Sequence, residues 1–331
     1  MFMALLIALN LQNIRILYYC KNKNFMEDKI RQHTYMQFIV LGIVLMVGSL
    51  VFTALAFGFS SLIWGMNDTL SAMDGVISSQ NDVNILKIIQ LASQLAIFIV
   101  PPLVLWKIMR KTNPNYLGLS HIPTAQQFLI VIGLFIVSIP FLQYMIMLNE
   151  SMSLGESLSG LEAWMREQQD KNDFITEKFL QSVSYPSLFV NLIIMAVMPA
   201  IGEELFFRGV LMSWFKKLTS NIHINIIITS IIFSAIHMQF YGFIPRFLLG
   251  MALGYTYYWT ASLWAPILLH FVNNAITVFV YFYVNSNNIS QDPQEFGTVE
   301  SIPAIVFSAV SIGLLMYLLY KSKNKEIVGV P

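Results

Sequence analysis

One cysteine, Cys20, stands in 331 residues. No internal disulfide is available, and so low a count says nothing about redox surroundings. Charge is also scarce: Asp, Glu, Lys and Arg make up 11% of the chain, against roughly 25% in a soluble domain. Hydrophobic types reach 56% and mean hydropathy is +0.64, so the composition excludes an ordinary soluble fold. A formal net charge of +1 leaves no reason to expect nucleic acid or a strongly acidic partner. No solenoid or inverted transporter repeat stands out.

Long apolar runs are abundant. A helix crosses the hydrocarbon core in about 20 residues, and eight stretches qualify: Gln37–Trp64, Ile85–Ile108, Gln127–Leu148, Pro186–Ile201 with its continuation, Ile224–Phe240, Pro245–Thr260, Leu263–Val284 and Ile302–Tyr320. The expected fold class is therefore all-α, a polytopic helical membrane protein of about eight transmembrane helices. Residues 1–36 read as a cytoplasmic N-terminal segment. Their first twenty are too short and polar for a ninth span and lack a cleavage site, and Met26 is as acceptable an initiator as Met1. Basic residues mark the cytoplasmic side. Lys21, Lys23, Lys29 and Arg31 precede the first span; Lys107, Arg110 and Lys111 follow the second; Lys216 and Lys217 follow the fourth; Lys321, Lys323 and Lys325 follow the last. The connections Gly65–Asn84 and Asn285–Ser301 contain no Lys or Arg, and Asn149–Tyr185 has seven acids against three bases. Both termini are expected in the cytoplasm, and 149–185 outside. Trp164, Met165, Phe174, Ile175 and Phe179 give that outer segment a helical apolar pattern, fitting either an interfacial amphipathic helix or a solvated loop.

A charge in the bilayer interior costs several kcal/mol and usually persists for a function. Of the five histidines, His237 and His270 fall inside expected spans, whereas His33, His121 and His223 fall in connections or at a helix edge. With Glu203, Glu204 and Arg208, and Arg246 near an outer edge, they are nearly all the ionisable content of spans four to seven. Spans four and five form an antiparallel hairpin turning at Lys217–Asn221. At about 1.5 Å per residue, Glu203 and His237 both lie some 25 Å from its tip. His270 comes within about a helical turn of that level, and Asn274 shares its helix face. Glu204 and Arg208 form an i, i+4 pair, acid first, and read as a brace holding the second carboxylate away from the site.

These residues carry a resemblance. "EELFFR" (Glu203, Glu204, Arg208), "FSAIH" (Phe233, His237) and "HFVNN" (His270, Asn274) fit E-E-x-x-x-R, F-x-x-x-H and H-x-x-x-N, in order on consecutive spans. The set resembles the three motifs of the CPBP family of intramembrane proteases (CAAX protease and bacteriocin-processing proteins, also called Abi) and is similar to type II CAAX prenyl endopeptidases. The resemblance covers about Pro186–Val284. It implies a four-helix catalytic core at 186–284; the apolar runs and charges alone place three helices at 37–148 and the external segment 149–185 before it, and a loop, a last helix and a basic tail at 285–331 after it. It also implies that Glu203 and His237 activate water, that His270 and Asn274 stabilise the oxyanion, and that Glu204, Arg208 and Phe233 belong to the structural motif. The expected substrate is a peptide or membrane protein met in the lipid bilayer, and the expected location a bacterial inner membrane.

Asn273 beside Asn274 could instead point inward, though H-x-x-x-N favours Asn274. Phe233 reads as packing. A non-catalytic immunity or binding protein on the same scaffold is the alternative function, and a proton-relay transporter is disfavoured by the missing repeat. Glu and His around a water also describe a zinc site. H-E-x-x-H is missing and Asn274 is a poor ligand, so the expectation is no cofactor, with zinc the alternative.

Overall fold

The computed structural model describes residues 35–110, 113–299 and 301–323. All but the end of the expected 1–36 segment, with the choice between Met1 and Met26, lies outside the described residues. The main elements are α1 (Tyr35–Trp64), α2 (Met66–Met73), α3 (Gln80–Met109), α4 (Ala125–Glu150), α5 (Ser159–Leu180), α6 (Tyr185–Leu218), α7 (Ile222–Ala235), α8 (Phe243–Thr260), α9 (Trp264–Ser286) and α10 (Ile302–Lys321). Among the described residues there is no strand. Six helices, α1, α3, α4, α6, α9 and α10, are long and apolar enough to cross a membrane. The chain is a polytopic helical membrane protein. Leu62 on α1 is 88% exposed and Phe307 on α10 72%, a surface that lipid tolerates and water does not.

Local signals start these helices. Thr124 and Gln127 form a capping box at α4, Ser184 caps α6 ahead of Pro186, and the Asn221 side chain accepts from the His223 and Ile224 amides at α7. Each satisfies N–H groups that the first turn leaves without partners. Proline leaves its mark inside the long helices. The backbone widens to a π-turn at Leu95–Ile99, just before Pro101 and Pro102, and again at Leu192–Val197, just before Pro199. A proline ring presses on the carbonyl four residues back and offers it no N–H, and widening the turn relieves both faults. A third π-turn, Leu205–Leu211, has no proline in it and directly follows Glu203 and Glu204.

The fifth and sixth expected spans are helices, but shorter than the other six. α7 has 14 residues, about 21 Å against a hydrocarbon core of ~30 Å. α8 has 18, and Arg246 and its Tyr and Thr residues lower its apolarity. The two form a close hairpin. A Cβ on Gly254 would lie 2.9 Å from Ile226 Cγ2, and one on Gly250 would lie 3.1 Å from Ser230 Cβ, so Gly250-x-x-x-Gly254 lets the helix axes approach. α7 ends earlier than the sequence suggests. Met238 takes a left-handed φ of 52°, and Ser234 Oγ donates to the Phe243 carbonyl at 2.7 Å across the turn. His237, expected within a span, lies in this turn instead.

Two sets of helix ends separate cleanly. The Asn113–Gly118 loop, the Lys216 and Lys217 end of α6, the end of α8 and Lys323 gather at one end of the bundle. At the other, Asn149 donates to the Phe240 carbonyl and accepts from the Ile244 amide, and Asn191 and Asn285 donate to the Phe179 and Leu180 carbonyls of α5. The 149–185 segment is therefore largely a helix, α5, seated on the acidic end. Its Glu162 accepts from the Leu154 amide, from Arg166 and from Ser153 Oγ. Those bonds, the Leu154 amide foremost, hold the Glu162 carboxyl below its ordinary value of 4.5.

Candidate active site

Glu203 and Glu204 sit mid-way along α6, both buried. Neighbours on a helix point about 100° apart, so the two carboxylates meet different partners. Glu204 Oε1 accepts from Arg208 Nη1 at 2.8 Å and from His270 Nδ1 at 2.9 Å. Arg208, 1% exposed, also donates from Nη2 to the Gly250 carbonyl at 2.9 Å, a backbone oxygen reachable because Gly250 has no side chain to cover it. Glu204 is thus not held away from the imidazoles. It ties Arg208 on its own helix to His270 on α9.

Glu203 Oε2 faces both rings. His237 Nε2 and His270 Nε2 are each 4.0 Å from it, too far for a direct hydrogen bond, and Oε2 is buried without a protein partner. His237 is held from behind, with Nδ1 2.8 Å from the Phe233 carbonyl. A carbonyl only accepts, so Nδ1 carries the proton and Nε2 is turned toward Glu203. The Phe233 ring forms the wall between these groups, 5.2 Å from His237 and 5.8 Å from His270, with the Arg208 guanidinium over it at 5.0 Å. Its reading as packing is incomplete, because the same residue supplies the carbonyl that sets the His237 tautomer.

Asn274 is half-buried one turn beyond His270. Its Oδ1 accepts from Asn273 Nδ2 at 3.1 Å, and among the described residues no hydrogen bond joins it to Glu203, His237 or His270. Six of the seven expected residues are therefore brought together, with Asn274 beside them. His237 is the open side, its side chain 28% exposed against 6% for Glu203. Over that side lies α5. Trp164 packs on Phe240 with centroids 5.3 Å apart, Arg166 lies over Tyr241 at 4.3 Å, and Asp173 accepts from Gln239. Gln239 in turn accepts from Arg246 at both its carbonyl and its side-chain oxygen. The Gln239, Arg246 and Asp173 network had no motif to announce it. The sequence signal for it was Arg246, a charge near the edge of an otherwise apolar span. Among the described residues no group of three or more His, Cys, Asp or Glu side chains is arranged to hold a metal ion.

Residues 185–276 match the family model described as type II CAAX prenyl endopeptidase Rce1-like. That stretch of the chain is similar to the family. The matched stretch runs from the start of α6 into α9 and contains all seven motif residues, so the Rce1-like region and the side chains just described coincide. A curated relative, the uncharacterized protein YpbD of Bacillus subtilis (strain 168), is 30% identical over 106 residues, covering 31% of this chain and 49% of YpbD. The chain thus spans about half the length of that relative. No solved structure matches.

Proposed function

We propose that this protein is an intramembrane endopeptidase in which Glu203 and His237 activate a water for attack on a peptide carbonyl. The observation that carries the reading is Glu203 Oε2, buried and unpartnered, 4.0 Å from two imidazole Nε2 atoms. A water oxygen about 2.8 Å from each of two acceptors at that separation makes an angle near 90°, so one water fits between Glu203 and His237 and can donate to both. Zinc bonds of about 2.0–2.1 Å to tetrahedral N and O ligands would bring those atoms to roughly 3.3 Å. The spacing therefore favours water as the reacting species, and the mechanism proposed is metal-independent.

The water gives one proton to Glu203 as its oxygen adds to the carbonyl carbon. The C–N bond then breaks and the departing nitrogen takes that proton, leaving a carboxylic acid and an amine. His270 is suited to the oxyanion. With Nδ1–H bound to Glu204, a proton on Nε2 makes it a donor, and two carboxylates, Arg208 and that imidazolium sum to zero charge in a buried site. Asn274, anchored through its Oδ1, offers Nδ2 as a second donor. Glu204 positions His270 and does not touch substrate. The basic ends of α3, α6 and α10 support a cytoplasmic position for that end of the bundle by the positive-inside rule, and the α5-covered mouth would then open on the outer side of a bacterial inner membrane. The substrate is a peptide segment reaching His237 from beneath α5.

Glu203→Gln tests this. The amide is nearly isosteric, so the purified variant should match the parent in thermal midpoint, lose peptide hydrolysis and leave uncleaved substrates in a membrane proteome. Parent activity should survive excess chelator. Full activity in Glu203→Gln would reassign the base, and activity lost to chelator and restored by zinc would replace the mechanism.

A further inference from the structure

Arg246 is the fourth residue of α8, and a cation in the opening turn of a helix opposes the positive end of its macrodipole. What holds it there is the turn that carries His237. Nη1 donates to the Gln239 carbonyl at 3.0 Å and Nη2 to Gln239 Oε1, a two-pronged grip on the residue two places beyond His237. The guanidinium also rests against Gly242, where a Cβ would stand 2.8 Å from its Cζ. On its far side Gln239 Nε2 donates to Asp173 Oδ1 of α5 at 3.1 Å.

The turn needs this grip. Met238, between His237 and Gln239, has a left-handed φ of 52°, a conformation that a residue with a side chain keeps only when its surroundings fix it. The Asn149 and Ser234 bonds fix the far half of the turn at Phe240 and Phe243, and the Arg246 bonds fix Gln239 in the half next to His237. Charge adds a second effect. The charged and titratable groups around the His237 ring are Glu203 on α6, His270 on α9 and Arg246 on α8, with Arg208 over the other neighbour of the ring, Phe233, and Asp173 of α5 beyond Gln239. Glu203 favours a second proton on the imidazole and Arg246 opposes it. A water can donate to His237 only at an unprotonated Nε2, because Nδ1–H is spent on the Phe233 carbonyl.

We propose that Arg246 is a positioning residue for the hydrolysis: its two bonds to Gln239 aim His237 Nε2 at the water, and its charge keeps a second proton off that ring. The inference rests on the peptidase reading above. Arg246 acts through His237 and not on the substrate.

The test uses the full purified chain in detergent, with two readouts. One is the pH dependence of peptide hydrolysis; the other is an NMR titration of the His237 ring in histidine-labelled protein, the signal being assigned by its loss in His237→Gln. In Arg246→Met, kcat should fall about 10- to 100-fold, the scale of a small misplacement of a reacting group, with KM little changed. The acid limb of kcat and the ring titration should both move to higher pH. Arg246→Lys keeps the charge but loses the planar fork, so both should return to their parental positions while kcat recovers only in part. A residue that served stability alone would move neither. Gly242→Ala displaces the guanidinium from the turn without altering its charge and should lower kcat too, which keeps the test sound if Arg246→Met fails to fold. An unmoved His237 titration in Arg246→Met, or a parental kcat in Gly242→Ala, would overturn the proposal while parental hydrolysis still stood. A parent chain that hydrolyses no peptide would sink the peptidase reading and this role with it.

Discussion

Arg208→Ala removes the only fixed positive charge that pairs with Glu204 among the described residues. The guanidinium gives up its 2.8 Å bond to Glu204, its 2.9 Å bond to the Gly250 carbonyl and its seat over the Phe233 ring, and both ion-pair partners are 0–1% exposed. Breaking a buried pair by deleting one member costs about 3–5 kcal/mol, because the other charge stays buried. At roughly 2–4 °C per kcal/mol for a large domain, the thermal midpoint should fall by on the order of 10 °C, with loss of monodisperse protein on size exclusion. The informative comparison is a double variant, Glu204→Leu/Arg208→Leu. Replacing both members of a buried pair by apolar groups is often neutral, so stability should largely return. Hydrolysis should not, because His270 Nδ1 has then lost its acceptor. An Arg208→Ala protein as stable as the parent would refute the brace, and a double variant with parental activity would refute the role of Glu204 in positioning His270.

A reporter fused after Lys323 should be cytoplasmic and one inserted at Gly155 external, and protease accessibility in the opposite sense would reverse the membrane orientation. Gly254→Ala should destabilise by about 1–3 kcal/mol through overpacking against Ile226, whose Cγ2 lies 2.9 Å from the new Cβ. The effect should shrink in an Ile226→Ala background, and strict additivity would show that the α7–α8 contact is not the cause. Glu162 is held below its ordinary value, so what it contributes to the start of α5 is present above about pH 4.5 and is lost as pH falls through the lowered value. Hydrogen exchange of the Leu154 amide should rise over that acidic window. A Leu154 exchange profile that is the same in the parent and in Glu162→Gln, once normalised for intrinsic rate, would contradict it.

Much of this architecture could be read from order and length alone. Apolar runs located the six helices that are long and apolar enough to cross a membrane, with α7 and α8 as shorter helices between them. Counting 1.5 Å per residue from the Lys217–Asn221 turn placed Glu203 and His237 level, because both helices run nearly unbroken from that turn. The count does not detect where a helix stops. Ile236 and His237 continue an apolar pattern that α7 itself abandons at Ala235, since the left-handed Met238 and the Ser234 bond to Phe243 leave no periodic trace. Two of the three π-turns have a marker in the sequence. Pro101, Pro102 and Pro199 follow two of them closely, while Leu205–Leu211 has no comparable marker.

Rotational phase accounts for the largest revision. Level along a helix follows from counting, but which face of α9 meets which face of α6 depends on packing, and that decided that Glu204 reaches His270. Part of the answer was nonetheless present in "EE". Two adjacent helical residues project about 100° apart, so one partner cannot serve both carboxylates. An arginine four residues on can reach only the one whose face it shares. With Glu204 occupied by Arg208 and His270, Glu203 is the carboxylate left facing two Nε2 atoms at 4.0 Å with no protein donor of its own. A buried carboxylate oxygen in that position is costly unless something donates to it, and the water proposed between Glu203 and His237 would be such a donor. The division of labour proposed for the two glutamates is thus in keeping with the 100° between adjacent helical residues.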